Sequence, residues 1–233
     1  MCGRFCNTLQ RTIFDEFDLP FEESLDMSPE YNIAPTDEAW VIDSDLKLKR
    51  MKWGLVPENA RHNSRATSMI NARSEDLLSR PSYKKCFDHG NRCLIPCNGF
   101  YEFPVLGGRK RAFRIHPTPD DGSWLMAGLF SNWVNPETGG TLSTFTILTT
   151  RPNSVLSPKS GPKIHDRMPV IIHKEDRDRW FKSNRYDPKS SRLEPWPSKK
   201  TQLSCVNPKI RNSQYKNSDC HELDLSEDFD WLK

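Results

Sequence analysis

Cys93-Leu94-Ile95-Pro96-Cys97-Asn98-Gly99-Phe100-Tyr101-Glu102-Phe103 consists of two apolar runs separated by a turn pair. Each run is β-favouring and too short for a helix, so the stretch reads as two consecutive strands, the first of them buried. The pattern continues on both sides. Trp40–Ile42, Leu46–Trp53, Ala112–Ile115, Trp124–Phe130, Thr144–Thr149 and Val170–Ile172 are short, β-favouring and bounded by turn residues. Gly107-Gly108 and Gly139-Gly140 mark hairpin turns among them. Such spacing predicts a curved sheet or barrel-like core. Leu9, Ile13, Phe14 and Phe17 share one face of a helix expected over residues 8–18, and further short helices are expected at Glu75–Ser79 and Lys174–Phe181. The class is therefore α+β, a β-rich barrel-like core with short flanking helices.

A chain of 233 residues can bury one sizeable core, so residues 1–233 are read as a single domain. Arg151–Lys163 and Ser183–Gln202, rich in Pro and Ser, read as surface loops rather than linkers. The acidic stretch Glu222–Asp230 within the 213–233 tail reads as a final helix or a loose end. Lys and Arg number 34 against 31 acids, a net charge of +3 that predicts no general attraction to polyanions. Nucleic acid would have to be held by arginines placed locally. The start lacks the basic-then-apolar pattern of a signal peptide, and no apolar run is long enough to span a membrane. With an odd count of seven Cys, a reducing intracellular compartment is expected, cytosolic, nucleoid or nuclear. Cys2/Cys6 and Cys93/Cys97 have a spacing that zinc could use, but no His pair accompanies them, so no metal is expected. Cys93 and Cys97 read as small hydrophobes in a buried strand.

Four segments hold reactive side chains. Met1-Cys2-Gly3-Arg4 opens with a methionine that is ordinarily trimmed before a small residue, which would make Cys2 the mature terminus. It would then carry an α-amine, pKa about 7.7–8.0, beside a thiol near 8.5. Such a 1,2-aminothiol condenses with an aldehyde to a thiazolidine. Asn71, in Ile70-Asn71-Ala72-Arg73-Ser74-Glu75, is either a helix cap or a functional amide. Glu102 follows two aromatics, so it is either an outward strand residue or a buried carboxylate needing a partner. His165, in Lys163-Ile164-His165-Asp166-Arg167-Met168-Pro169, is either a satisfied structural histidine or an acid–base group.

These segments, with Tyr31-Asn32-Ile33-Ala34-Pro35-Thr36 and Met51-Lys52-Trp53-Gly54-Leu55-Val56-Pro57, occur together in order from Met1 to about Val206. In this the chain resembles the SRAP (SOS response-associated peptidase) family, whose members are abasic-site shielding proteins of the DNA damage response. The resemblance implies a β-rich domain with a groove for single-stranded DNA and a covalent, suicidal, lyase-like chemistry without cofactor. By resemblance Cys2 attacks the abasic aldehyde, Asn71 positions cysteine and sugar, Glu102 holds the amine and shuttles protons, and His165 serves the sugar oxygen. Arg4, Arg73 and Arg167 would hold phosphates and favour the thiolate. Thr149 would touch a phosphate, and Trp53 with Pro35 would support neighbouring bases. For Trp53 a core position is the equal alternative. A monomer on DNA needs no further interface.

Phe103 stands where the family commonly has Trp, and Asn98 where it has Asp. The loop before His165 is longer than usual, and the match fades beyond Asn207, leaving the tail from Ser213 unread. Two other functions fit the residues. Cys2 with His165 and Glu102 has the composition of a thiol peptidase acting on its own N-terminus. Arg4, Arg73, Arg167 and Trp53 alone would make a non-covalent DNA-binding module.

Overall fold

The computed structural model describes residues 2–20, 25, 27–63, 69–182 and 193–224. Met1, residues 183–192 of the expected loop and the tail beyond Asp224 lie outside the described residues. In chain order the strands are β1 (Phe5–Asn7), β2 (Glu30–Ile33), β3 (Glu38–Ile42), β4 (Leu48–Trp53), β5 (Asn71–Arg73), β6 (Arg92–Cys97), β7 (Gly99–Glu102) and β8 (Val105–Leu106). They continue with β9 (Arg109–Lys110), β10 (Phe113–Pro117), β11 (Trp124–Val134), β12 (Thr141–Thr150), β13 (Met168–Pro169), β14 (Ile171–Ile172) and β15 (Thr201–Cys205). The helices α1 (Thr12–Glu16), α2 (Pro81–Asp88) and α3 (Arg177–Phe181) are short.

β12, β4, β3, β6 and β11 pair in that order, and β11 pairs back onto β12, closing a five-stranded barrel. β5 and β13 add to β12, and β14 adds to β11. A second sheet, β15-β10-β7-β1-β2, joins it through the β6–Asn98–β7 connection. The alternation of side chains sorts two cores. Cys93, Ile95 and Cys97 of β6 point inward with Trp53, Met126, Phe145 and Ile147. Leu94, between them, faces outward with Ile13, Phe14, Leu77 and Trp180 from the helices and turns. Burying a side chain such as Phe145 or Ile147, both fully inaccessible, stabilises the barrel by roughly 1.5–3 kcal/mol each.

The α+β barrel expectation holds, and both expected hairpins form, β8–β9 and β11–β12. The helix expected over residues 8–18 shrinks to α1, because Gln10 and Asp18 flank it with positive φ of 50° and 49°. Asn71 caps no helix: it starts β5, and the next helical turn, Ser74–Ser79, begins after Arg73 without a side-chain cap.

Gly128 marks the tightest point of the barrel wall. A Cβ there would lie 2.6 Å from Ile95 Cδ1, 2.7 Å from the Thr146 carbonyl oxygen and 2.9 Å from Cys93 Sγ. The Ile tip can turn away, but the carbonyl belongs to the paired strand and cannot. Gly128→Ala is expected to lower stability by about 1–3 kcal/mol. Urea titration should show a lower midpoint with an unchanged slope.

Candidate active site

Three parts of the fold converge on Cys2. β7 lies between β1 and β10, with Phe5 opposite Phe100 and Glu102 opposite Phe113. The Tyr101 N–H donates to the Arg4 carbonyl at 2.9 Å, so the chain running from β1 back to Cys2 follows β7 toward Glu102. β5, parallel to β12 with Asn71 opposite Ile147, brings a side-chain amide from the barrel. Asn71 Nδ2 donates to the Cys2 carbonyl at 2.7 Å, and Tyr83 hydroxyl donates to the Asn71 carbonyl at 3.2 Å. His165 follows the Pro- and Ser-rich loop, whose Leu156 carbonyl accepts from the Ile164 and His165 N–H groups at 2.8 and 3.2 Å. Its Nε2 lies 3.8 Å from Glu102 Oε2. That gap is too long for a direct hydrogen bond and leaves room for an atom to be shared.

Glu102 is 6 % exposed, and its Oε1 and the Asn71 Oδ1 are buried acceptors without a hydrogen-bond partner among the described residues. Burial pushes the Glu102 carboxyl up to about 7, against the opposing pull of the chain-terminal ammonium. His165 moves the other way: burial, then the terminal ammonium, holds its pKa below the usual 6.5. Its Nδ1 lies 3.0 Å from the Arg167 N–H and 3.1 Å from the Arg167 carbonyl. The neutral ring accepts from the first, which leaves its proton on Nε2 toward Glu102; the protonated ring donates to the second. Both states of the ring are therefore accommodated. Near neutrality the carboxyl is the more basic of the two groups, the reverse of their order in water.

The thiol departs from expectation. Cys2 is fully buried, its S–H donates to the Arg4 carbonyl at 3.7 Å, and burial together with Glu102 pushes its pKa well above the ordinary value. The resident form is the neutral thiol, not an arginine-stabilised thiolate.

The expected DNA contacts divide. Arg73 is exposed, and Pro35 is half-buried in a turn whose Thr36 N–H donates to the Trp53 carbonyl. Three others turn inward. Arg4 is 8 % exposed because its NH1 donates to Asn32 Oδ1 at 2.8 Å and to the Ile210 carbonyl at 2.7 Å, so it anchors the C-terminal segment instead of meeting a phosphate. Trp53 is wholly buried: strand parity points it into the barrel beside Phe5 and Phe145, and its Nε1–H donates to the Ile70 carbonyl at 2.8 Å. It therefore presents no base-stacking surface. Thr149 is inaccessible, and its oxygens accept from Arg167 NH2, the carbonyl at 2.5 Å and Oγ1 at 3.3 Å. Arg167 in turn forms a two-pronged ion pair with Glu75.

A cavity of about 480 Å³ opens beside Asn71, lined also by Met69, Tyr83, the arginines Arg73 and Arg80 and one acid, Asp76. Arg80 and Tyr83 had not been singled out from sequence. The signal available for Arg80 was a second arginine seven residues beyond Arg73, at the start of α2.

Known proteins share this chain's sequence and fold. The chain is 35 % identical over 209 residues to the abasic site processing protein YoqW of Bacillus subtilis, covering 84 % of this chain and 88 % of that one. It is 30 % identical over 185 residues to the abasic site processing protein HMCES of Gallus gallus, covering 66 % of this chain and 54 % of that one. A crystal structure of a protein from Bacteroides thetaiotaomicron shares the fold at a TM-score of 0.84 and 20 % identity, covering 96 % of this chain and all of that one. A sequence profile of one family matches residues 1–213, a span that includes Cys2, Asn71, Glu102, His165 and the segment holding Arg4, and the chain belongs to that family, SOS response associated peptidase (SRAP).

Proposed function

We propose that this protein recognises abasic sites in single-stranded DNA and shields them by a covalent thiazolidine formed through Cys2 after removal of Met1. One observation carries the reading: the Cys2 backbone is held by Asn71 next to a buried carboxyl that titrates near neutrality and faces His165 across 3.8 Å. The relatives named abasic site processing proteins point to the same substrate.

The chemistry follows from the groups. The abasic deoxyribose opens to its aldehyde, with His165 handling the proton of the ring oxygen. The neutral Cys2 amine adds to the aldehyde carbon, giving a carbinolamine. Protonation of its hydroxyl by Glu102 releases water and leaves an imine. The thiol then adds to the imine carbon, and its proton ends on the nitrogen, so aldehyde plus aminothiol gives thiazolidine plus one water. A neutral thiol suffices for this order of events, because its proton passes to the imine nitrogen as sulfur adds, which makes the protonated imine and its thiolate partner together. Each well-placed proton transfer contributes roughly 10²–10⁴-fold. The cavity beside Asn71, with exposed Arg73 and Arg80, is the side from which a phosphodiester chain would approach.

The peptidase reading asks for a thiol in contact with an activating base. Among the described residues Cys2 Sγ donates to a backbone carbonyl instead, and Glu102 raises its pKa rather than lowering it. A purely non-covalent binder would have no use for a buried, half-unpartnered Glu102 and would gain from its removal.

The test is to mix protein of confirmed mass, with Met1 absent, with a single-stranded oligonucleotide containing one abasic site. The expected product is a heat-stable adduct on a denaturing gel whose intact mass is one water below the sum. No adduct from protein lacking Met1 would end this reading.

A further inference from the structure

Glu75 closes the Asn-Ala-Arg-Ser-Glu motif, yet none of the chemistry above uses it. Its two carboxylate oxygens meet NH1 and NH2 of Arg167, the NH2 contact at 2.9 Å. This is the edge of a guanidinium that matches a phosphate as well as a carboxylate. The pair is unequal in its surroundings. The Arg167 side chain is 15 % exposed and has a second hold on the protein through the Thr149 carbonyl and hydroxyl. The Glu75 side chain is 52 % exposed, and beyond Arg167 it is held only locally, by its own backbone N–H and by the hydroxyl of its neighbour Ser74, among the described residues. Arg167 would therefore keep its orientation if Glu75 left, and Glu75 could leave into water at small cost.

We infer that Glu75 is an internal stand-in for a DNA phosphate: it occupies the anion site that Arg167, held in place by Thr149, presents in the free protein and is displaced when the strand binds. This rests on the DNA reading above and adds a residue that sets affinity and salt response rather than one that reacts. Because Arg167 is already neutralised, a phosphate taking its place displaces a carboxylate and adds little to the release of counterions. Ionisation of Glu75 is favoured throughout the neutral range, since the hydrogen bonds from Arg167 hold its carboxyl below the usual range.

The experiment measures binding of an unmodified single-stranded oligonucleotide by fluorescence anisotropy across a salt series. Wild type, Glu75→Gln, Arg167→Gln and the double variant are compared. Removing a half-exposed competitor ion pair should tighten binding by about two- to five-fold at low salt. One newly free charge should steepen the log–log salt slope by about 0.7. Both effects should vanish in the Arg167→Gln background. Unchanged or weaker binding by Glu75→Gln, with wild type still binding DNA, would overturn the inference and make Glu75 a mere support of Arg167, while leaving the proposed function intact. Failure of wild type to bind single strands at all would instead sink the functional reading, and this inference with it. Glu75→Ala, run alongside with its circular dichroism, separates any folding defect from the charge effect.

Discussion

Cys2→Ala is expected to abolish the heat-stable adduct completely while leaving non-covalent affinity for single-stranded DNA unchanged. The variant keeps an α-amine once Met1 is removed, so it can still form the imine; what it loses is the capture step. An uncaptured imine acidifies the hydrogens on the neighbouring sugar carbon, C2′. A base such as the Glu102 carboxylate or His165 can then take one of them, and the C3′–oxygen bond breaks, releasing the 3′ phosphate. The variant should thus convert shielding into strand cleavage, visible as a shortened oligonucleotide on a denaturing gel. Borohydride should trap the imine as a stable amine with Cys2→Ala. Wild type should show adduct without borohydride and an intact strand. Retention of a heat-stable adduct by Cys2→Ala would place the covalent bond elsewhere and remove the thiol from the mechanism. Cys2→Ala has a modest structural cost, since it deletes one buried sulfur from the inner core, so a cooperative unfolding transition should remain.

The site and the barrel were legible to different depths. Short continuous apolar runs in Cys93–Cys97 and Trp124–Phe130, bounded by turn residues, were enough to give the barrel wall, because residues on both faces of those strands are buried and hydrophobic. β1, β5 and β13 were not recognised, since runs of two or three residues carry no period and exist only through their partners, Phe100, Ile147 and Thr149. β15 was hidden differently: Thr201–Cys205 begins inside a stretch whose Pro, Ser and Lys content reads as loop, and it is strand because Phe113–Pro117 offers a free edge. Cys2, Asn71, Glu102 and His165 were readable as a set because each sits in a motif. Their surroundings were not. Whether Arg4 faces solvent is decided by Asn32 and the Ile210 carbonyl, 28 and 206 residues away, and no local pattern reports such a contact. Trp53 was undecided for the same reason: its strand parity is visible, but which face of β4 becomes the interior depends on barrel closure.

Glu102→Gln is expected to lower the maximum rate of adduct formation by about 10²–10⁴-fold and to change its pH dependence. The productive state needs a neutral amine and a proton donor at the departing hydroxyl. With the carboxyl pushed up to about 7 and an α-amine ordinarily at about 7.7–8.0, that state carries one proton shared between two interacting groups, so the wild-type rate should form a bell around neutrality. His165, held below 6.5 and neutral at that pH, cannot replace the acid. In Glu102→Gln the alkaline limb should disappear, leaving a rate that rises with amine deprotonation and then levels. The same substitution should act on stability with a defined sign. A carboxyl whose folded pKa lies above its unfolded value binds its proton more tightly in the native state, so wild-type stability falls as pH rises from about 4.5 through about 7. Gln carries no such ionisation and should flatten that decline, leaving the variant more stable than wild type at pH 8 by on the order of 1–3 kcal/mol. A catalytically weak but more stable Glu102→Gln would mean that the fold bears a buried charge for the sake of the reaction. A variant both active and unchanged in its pH profile would make Glu102 a bystander and leave the proton transfers to His165 and water.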